Sequence, residues 1–336
     1  MEAMFYESLD ENGVRCNLCH HRCQIKEGKT GICGVRENRD GRLYSLVYGK
    51  IIAEHIDPIE KKPFFHFLPG SRAFSIGTVG CNFRCKHCQN SEISQYPHEH
   101  KGSIIGRERT PKQIVASAQA AGCETIAYTY TEPTIFYEFA YDTAVLAQKE
   151  GIKNVFVSNG YMSTEAARRI APYLDGINID IKAFTDKFYK GVCGARLKPV
   201  LETIQLMKDL GIWVEVTTLI IPGLNDGDEE LHDIARFVKE VGPEVPWHVT
   251  RFYPSYELVD RPRTPVETLR RARGIGMEEG LWYVYEGNVP GGGGEHTQCR
   301  GCGTMIIERH GLELIRNHMQ NGKCPECGTK VDGFGM

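Results

Sequence analysis

The chain has 336 residues, of which 41% are hydrophobic and 25% are charged, so it can bury one sizeable core with small additions. Its formal net charge of −3 gives no reason to expect nucleic acid or an anionic membrane as a partner. No stretch approaches the length of a membrane span, and the first residues lack the pattern of a signal peptide. We therefore expect a cytoplasmic protein.

Thirteen cysteines occur in the chain, and eleven of them fall into three groups. Because the cytosol keeps thiols reduced, metal ligation or catalysis explains such groups better than disulfides do. Only Cys123 and Cys193 are isolated, and we expect both to be small buried apolar side chains.

Residues 1–70 are predicted to form an N-terminal cysteine-rich module with short strands at 43–47 and 51–55. The module carries four of the cysteines, Cys16, Cys19, Cys23 and Cys33. Four thiolates are a common zinc ligand set, so zinc is our first interpretation. The spacing is less regular than in a zinc knuckle pair, and an auxiliary iron–sulfur cluster is the alternative.

Residues 71–290 are predicted to form the core, because short β-branched runs alternate there with longer amphipathic stretches. This pattern predicts parallel strands near residues 73–78, 125–130, 154–157, 176–181, 213–219, 247–252 and 281–284. Six helical patterns separate these strands. The fold class is therefore α/β, a partial TIM-type (β/α)6 barrel.

The second cysteine group follows the first core strand, in a loop that begins at Gly80. Cys81, Cys85 and Cys88 have the spacing Cys-x3-Cys-x2-Cys. Three thiolates on a four-iron cluster leave one iron open for chemistry. The alternative is a structural zinc site with His87 as a further ligand.

This motif resembles the signature of the radical S-adenosylmethionine (SAM) superfamily. The resemblance implies a radical SAM barrel, a [4Fe-4S] cluster on Cys81, Cys85 and Cys88, and cleavage of SAM to methionine and a 5′-deoxyadenosyl radical. Within the superfamily, the chain is similar to pyruvate formate-lyase activating enzymes. It is most similar to the longer AmmeMemoRadiSam-type branch, whose phrases GICGVR and GNVPG resemble residues 31–36 and 287–291.

Polar residues also follow the second and third core strands. Glu132 lies in a Tyr-Thr-Glu-Pro segment that resembles the family's Gly-Gly-Glu-Pro motif, which implies a contact with the SAM amino group. An acid placed at a helix N-terminus is the alternative. Ser158 and Asn159 precede Gly160 in a turn that resembles the Thr-Asn-Gly turn of activating enzymes, although a plain turn uses the same residues.

The fourth strand ends with Asn178, Asp180 and Lys182 on one face, by the two-residue period of a strand. The resemblance implies that Asp180 and Lys182 meet the amino and carboxylate ends of SAM, and a structural ion pair is the alternative. The loop at 221–226 resembles a family loop near the adenosine. Arg251, at the end of the sixth strand, is expected to reach SAM or substrate, or else to form a surface salt bridge.

Residues 291–336 are predicted to form a C-terminal module that resembles a zinc ribbon, after a run of four glycines. Two Cys-x2-Cys pairs, separated by 21 residues, supply Cys299, Cys302, Cys324 and Cys327. A rubredoxin-like iron site would use the same ligands. The module is expected to be a structural clip, with docking of a partner or substrate as the alternative.

The resulting hypothesis is a radical SAM oxidoreductase, reduced by a donor such as flavodoxin or ferredoxin. In activating enzymes the radical abstracts hydrogen from a backbone glycine of a partner protein, so the resemblance implies a glycyl-radical partner. A small-molecule metabolite is the second candidate substrate. A metal-binding scaffold or redox partner that cleaves no SAM is the alternative outside enzymes.

Overall fold

The computed structural model describes all 336 residues. The N-terminal region contains short antiparallel strands that pair in a three-stranded sheet, β1 to β3, and in a hairpin, β4 and β5. The first six strands are β1 (Tyr6–Ser8), β2 (Val14–Cys16), β3 (Gln24–Ile25), β4 (Arg36–Arg39), β5 (Arg42–Ser45) and β6 (Lys50–Ile51).

The central sheet has eight strands, in the order β15-β14-β13-β12-β11-β10-β8-β7. Its strands are parallel from β8 to β15, and β7 adds an antiparallel edge. A further short strand, β9, pairs with β6 outside this sheet. The strands are β7 (Ala53–Pro58), β8 (Arg72–Gly77), β9 (Arg107–Glu108), β10 (Thr125–Tyr128), β11 (Lys153–Ser158), β12 (Gly176–Asp180), β13 (Trp213–Ile220), β14 (Trp247–Arg251) and β15 (Val284–Gly287).

Helices connect successive parallel strands, as the alternating pattern predicts. Thr110 and Gln113 form a capping box at the start of α3, with Pro111 at the first helical position. The helices are α1 (Ser91–Ser94), α2 (Tyr96–Glu99), α3 (Pro111–Ala120), α4 (Tyr137–Lys149), α5 (Thr164–Ile170), α6 (Asp186–Phe188), α7 (Leu197–Asp209), α8 (Asp228–Val241) and α9 (Val266–Glu278). Short 3₁₀ turns occur at Ile59–Lys61, Pro133–Phe136 and Ala171–Tyr173, and a π-turn occurs at Tyr189–Cys193. No helix is long and apolar enough to cross a membrane.

The C-terminal region forms a small antiparallel sheet with its own buried cluster around Cys299, Ile306, Cys324 and Val331. Its strands are β16 (Thr297–Gln298), β17 (Met305–His310) and β18 (Glu313–Asn317).

The α/β fold class and the partial barrel are confirmed, because seven parallel strands and six connecting helical segments occur in the predicted order. The strand expected at 281–284 begins only at Val284, since the backbone of Leu281 and Trp282 bonds to Gly276 and Pro243. The strand expected at 51–55 lies mainly in β7, at the edge of the central sheet.

Residues 1–70 are not packed apart from the core. Val14, Val35 and Leu43 share one hydrophobic cluster with the strands and helices of the barrel. The division of the chain at residues 70 and 290 stays a prediction.

Candidate functional site

The Cys81–Cys88 loop follows β8 and is held at its start, at Gly80, by close backbone packing. Gly80 has φ +97°, and a Cβ atom there would lie 2.5 Å from Val35 Cγ1, so the close approach of the N-terminal region requires glycine. Gly80 N–H also donates to the Ile93 carbonyl at 3.0 Å. The loop is therefore clamped between the N-terminal region and the segment around α1.

The loop thiols accept or share hydrogen bonds, as metal-binding sulfurs do. Cys81 Sγ accepts from Phe83 N–H at 3.4 Å and from Asn159 Nδ2 at 3.3 Å. Cys88 Sγ lies 3.3 Å from Ser94 Oγ. Burial raises the pKa of both the Cys81 and the Cys88 thiols, so a cation is needed to hold them as thiolates.

His87 does not join the three loop cysteines in one small group. Its ring lies with the sulfurs of Cys85 and Cys193, all within 4.8 Å of one another, whereas Cys81, Cys85 and Cys88 do not form such a group. Burial, together with the nearby Lys182 charge, lowers the pKa of His87 to about 3. Cys193 is fully buried as expected, but it contacts the site instead of standing alone. Cys123 is buried elsewhere.

A cavity of about 580 Å³ opens beside this loop at the carboxyl ends of the parallel strands. This is the end of a βα barrel where ligands bind, and the volume is typical of small-molecule sites. Its wall contains many of the predicted site residues, namely Cys81, Cys85, Cys88, Ser158, Asn159, Asp180 and Lys182.

Asp180 and Lys182 form an ion pair on the cavity wall. Lys182 Nζ lies 2.9 Å from Asp180 Oδ2, and their side chains are 11% and 31% exposed for Lys182 and Asp180 respectively. Burial disfavours the Lys182 ammonium, but the charge and hydrogen bond of Asp180, together with the nearby sulfurs of Cys85 and Cys193, raise the pKa of Lys182 well above its usual value. Asn178, on the same face, instead donates to the Pro63 carbonyl at 2.8 Å.

Glu132 lies behind the cavity wall and is not one of its lining residues. Its carboxylate accepts from Ser158 Oγ at 2.8 Å and from Asn159 N–H at 2.6 Å. Glu132 also caps the following 3₁₀ turn through Thr134 N–H. In this geometry Glu132 positions the Ser158–Asn159 turn, and direct contact with SAM stays a prediction.

Arg251 also lies outside the cavity lining. Its Nε donates to the Thr264 carbonyl at 2.7 Å, which fastens the end of β14 to the chain before α9. Arg251 forms no salt bridge, and its contact with SAM or substrate stays a prediction.

The cavity also has lining residues that sequence reasoning missed. Lys62, from the segment after β7, lies 2.7 Å from Asp57 and over the ring of Tyr130. His248, on β14, donates from Nε2 to Glu215 Oε2 at 2.7 Å. The sequence contains two signals for these residues, the paired lysines before Pro63 and the inward position of His248 on its strand. Each signal is equally typical of a solvated or structural residue.

The C-terminal cysteines converge as predicted. The sulfurs of Cys299, Cys302, Cys324 and Cys327 all lie within 4.8 Å of one another, with Cys299–Cys327 at 3.5 Å and Cys302–Cys324 at 3.7 Å. A tetrahedral zinc ion with Zn–S bonds of ~2.3 Å separates its sulfurs by ~3.8 Å. These four thiols could therefore hold one tetrahedral ion.

The four N-terminal cysteines are arranged differently from the C-terminal group. Cys16, Cys19, Cys23 and Cys33 all line one small cavity. No three of their sulfurs lie within 4.8 Å of one another, in contrast to the C-terminal group.

Fold, cysteine loop and strand-end cavity together define a radical SAM enzyme. Residues 75–238 match the model of the radical SAM superfamily, and the chain belongs to that superfamily. Membership implies a [4Fe-4S] cluster and SAM, and the three loop thiols beside the open cavity fit both groups.

The chain is 52% identical to the uncharacterized protein MJ0808 of Methanocaldococcus jannaschii, over 98% of each chain. It is 24% identical to the pyruvate formate-lyase 1-activating enzyme of Escherichia coli K12, over 52% of this chain and 71% of that enzyme. The structure of Streptococcus suis SuiB bound to precursor peptide SuiA has a TM-score of 0.51 at 13% identity, covering 68% of this chain and 51% of SuiB. The SuiB likeness concerns the fold alone.

Proposed function

We propose that this chain is a radical SAM oxidoreductase of the glycyl-radical-activating kind. The observation that carries the proposal is the single cavity whose wall joins the three loop cysteines to the Asp180–Lys182 ion pair. When bound, the cluster supplies the electron that cleaves SAM to methionine and a 5′-deoxyadenosyl radical, which then takes a hydrogen atom from the substrate.

The protein's own residues would hold and orient the reactants. Cys81, Cys85 and Cys88 would supply three thiolates to the cluster and leave one of its irons without a protein ligand. Lys182 is suited to the SAM carboxylate and Asp180 to its amino group, because each carries the opposite charge. Ser158 and Asn159 present polar groups on the same wall, held by Glu132.

The first experiment tests radical SAM chemistry. The protein is reconstituted anaerobically with iron and sulfide, reduced with dithionite, and assayed for 5′-deoxyadenosine. Wild type is expected to form it and Cys85→Ala to form none. Cys123→Ala, a buried cysteine outside all three groups, is the matched control and should retain activity. A wild-type protein that carries a cluster and binds SAM but forms no product would favour the scaffold alternative.

The substrate is proposed to be a backbone glycine of a partner protein, with a one-electron donor of the flavodoxin or ferredoxin class. The support is the likeness to pyruvate formate-lyase activating enzymes. Incubation with a purified glycyl-radical enzyme should give a carbon-centred EPR doublet on that partner. Turnover of a small metabolite without this signal would support the second candidate substrate.

The C-terminal cysteines are proposed to hold zinc as a structural clip. Their close sulfur spacing supports a single tetrahedral ion, and the surrounding module has only a small core of its own. Metal analysis should find about one zinc per chain at this site, and Cys302→Ser should lose it. Iron without sulfide at the same site would instead indicate a rubredoxin-like centre.

A further inference from the structure

We propose that Cys16, Cys19, Cys23 and Cys33 hold an auxiliary iron–sulfur cluster and not zinc. The inference concerns a site apart from the SAM cavity, and it does not depend on the proposed substrate. The sequence spacing of these cysteines is compatible with either a zinc ion or an iron–sulfur cluster, and the proposal selects the cluster.

The N-terminal sulfurs are spaced more widely than the C-terminal ones. One zinc ion draws four thiolates to within ~3.8 Å of one another, and the C-terminal group has that spacing, at 3.5 and 3.7 Å. In an iron–sulfur cube each cysteine binds a different iron, so the cysteine sulfurs lie farther apart. All four N-terminal cysteines line one cavity, yet no three of their sulfurs lie within 4.8 Å of one another. The sulfurs of Cys81, Cys85 and Cys88, the expected ligands of the central cluster, likewise do not all lie within 4.8 Å of one another.

Two residues on the wall of this cavity carry buried nitrogens without hydrogen-bond partners. Arg36 is 2% exposed and Asn82 is 1% exposed, and both line the cavity. Arg36 uses its terminal nitrogens on Glu138 and the Met4 carbonyl, but its Nε has no partner. Asn82 Nδ2 has none either. The sulfur atoms of a bound cluster, both inorganic sulfides and cysteine thiolates, would accept such N–H groups, so these two nitrogens point to a sulfur-rich centre in the cavity.

Apolar side chains form much of the cavity that the four cysteines line. Leu18, Ile25, Ile32 and Ile135 contribute to its wall, beside His21 and Thr134. An apolar, water-poor surrounding is one of the factors that tune an iron–sulfur cluster.

The site also adjoins the central cluster loop. The Asn82 carbonyl accepts from His21 at 2.7 Å, and Asn82 Oδ1 accepts from Asn159 Nδ2, which also donates to Cys81. One residue thus separates the auxiliary site from the first central cysteine. Two clusters this close are expected to interact magnetically when both are reduced.

The test removes the ligands of the central cluster and measures the iron and sulfide that the protein still binds. The triple variant Cys81→Ala, Cys85→Ala, Cys88→Ala, reconstituted anaerobically, is expected to retain about four iron and four sulfide per chain. The dithionite-reduced variant should give a cluster EPR signal simpler than that of wild type. Cys299→Ala with Cys302→Ala is the matched control and should lose zinc while keeping iron and sulfide at the wild-type level.

A reciprocal variant keeps the inference falsifiable if the triple variant misfolds. Cys19→Ala with Cys33→Ala should halve the wild-type iron and sulfide and leave the C-terminal zinc in place. Two zinc ions per chain with sulfide only at the central site would overturn the inference, as would iron without sulfide in the triple variant. Failure of wild type to make 5′-deoxyadenosine while the triple variant retains its cluster would count against the proposed function alone.

Discussion

At the scale of single residues, the Asp180–Lys182 pair is the feature most directed toward a ligand. Both side chains face the cavity, and neither charge is fully buried. A fully buried pair would have to offset a large desolvation cost through its own geometry. This pair keeps access to the cavity, so each member is free to bind one end of a zwitterionic ligand such as the amino acid part of SAM.

Lys182→Met is expected to weaken SAM binding by about 10- to 100-fold, the range for one charged hydrogen bond. Equilibrium dialysis with the reconstituted enzyme measures the effect. Lys190→Met, which removes an exposed lysine from the nearby π-turn, is the control and should bind SAM as wild type does. Unchanged affinity in Lys182→Met would assign the pair a purely structural role.

At the scale of elements, Asn225 fixes the loop after β13 to the end of β12. Its Oδ1 accepts from Ile221 N–H at 2.6 Å, and its Nδ2 donates to the carbonyls of Lys182 and Leu219 at 2.7 and 2.8 Å. Asn225 is fully buried. The loop at residues 221–226 resembles a family loop near the adenosine of SAM. In this structure the loop supports the backbone of Lys182.

Asn225→Ala is expected to destabilise the protein by about 1–3 kcal/mol, because it leaves buried backbone groups unpaired. Thermal unfolding should show a lower Tm, and SAM affinity should fall because the Lys182 backbone loses its support. Asp226→Asn, at the half-buried neighbour that accepts from Gly223 N–H, keeps an acceptor oxygen and should change both quantities little. An unchanged Tm in Asn225→Ala would show that Asn225 does not stabilise this loop.

At the scale of the whole molecule, the C-terminal module is joined to the core through buried polar contacts. His66 bonds through its ring nitrogens to the Asp332 carbonyl and the Tyr285 hydroxyl. Arg309, on β17, donates to the Phe65 carbonyl at 2.8 Å and lies beside Glu60. Leu312, at the tip of the same hairpin, lines the SAM cavity. The module thus borders the mouth of the site.

Acid is expected to weaken this junction. Burial lowers the pKa of His66 to about 4 in the folded protein, while an unfolded histidine titrates near ~6.5. The unfolded state therefore binds the proton first, so the contribution of His66 to stability is complete above pH ~6.5 and is lost as the pH falls toward 4. The loss amounts to about 3 kcal/mol at most.

Tm measured at pH 7.5 and at pH 5.0 tests this linkage. His66→Gln should lower the Tm at pH 7.5 and should show a smaller further drop at pH 5.0 than wild type. His100→Gln, on the surface, should keep the wild-type drop. An equal drop in all three proteins would show that His66 does not carry the effect.

Several features could be predicted from the sequence because they depend on local pattern. The parallel strands, the Thr110 cap and the two-residue alternation around Asp180 follow from backbone geometry and hydrophobic period. The positions of Glu132 and Arg251 could not be predicted in this way. A strand-end residue can face the cavity or brace the turn beside it, and only the packing of neighbouring loops decides which.

The amino-acid sequence by itself determined the order of strands and helices, the three cysteine groups and the radical SAM class. Those properties are carried by periodicity and by ligand spacing within short segments. The tertiary structure decided which polar residues share the cavity, that Asn82 joins two cysteine sites, and that the N-terminal sulfurs are spread while the C-terminal sulfurs converge. These are distances between segments far apart in the chain, and they exist only once the core has packed.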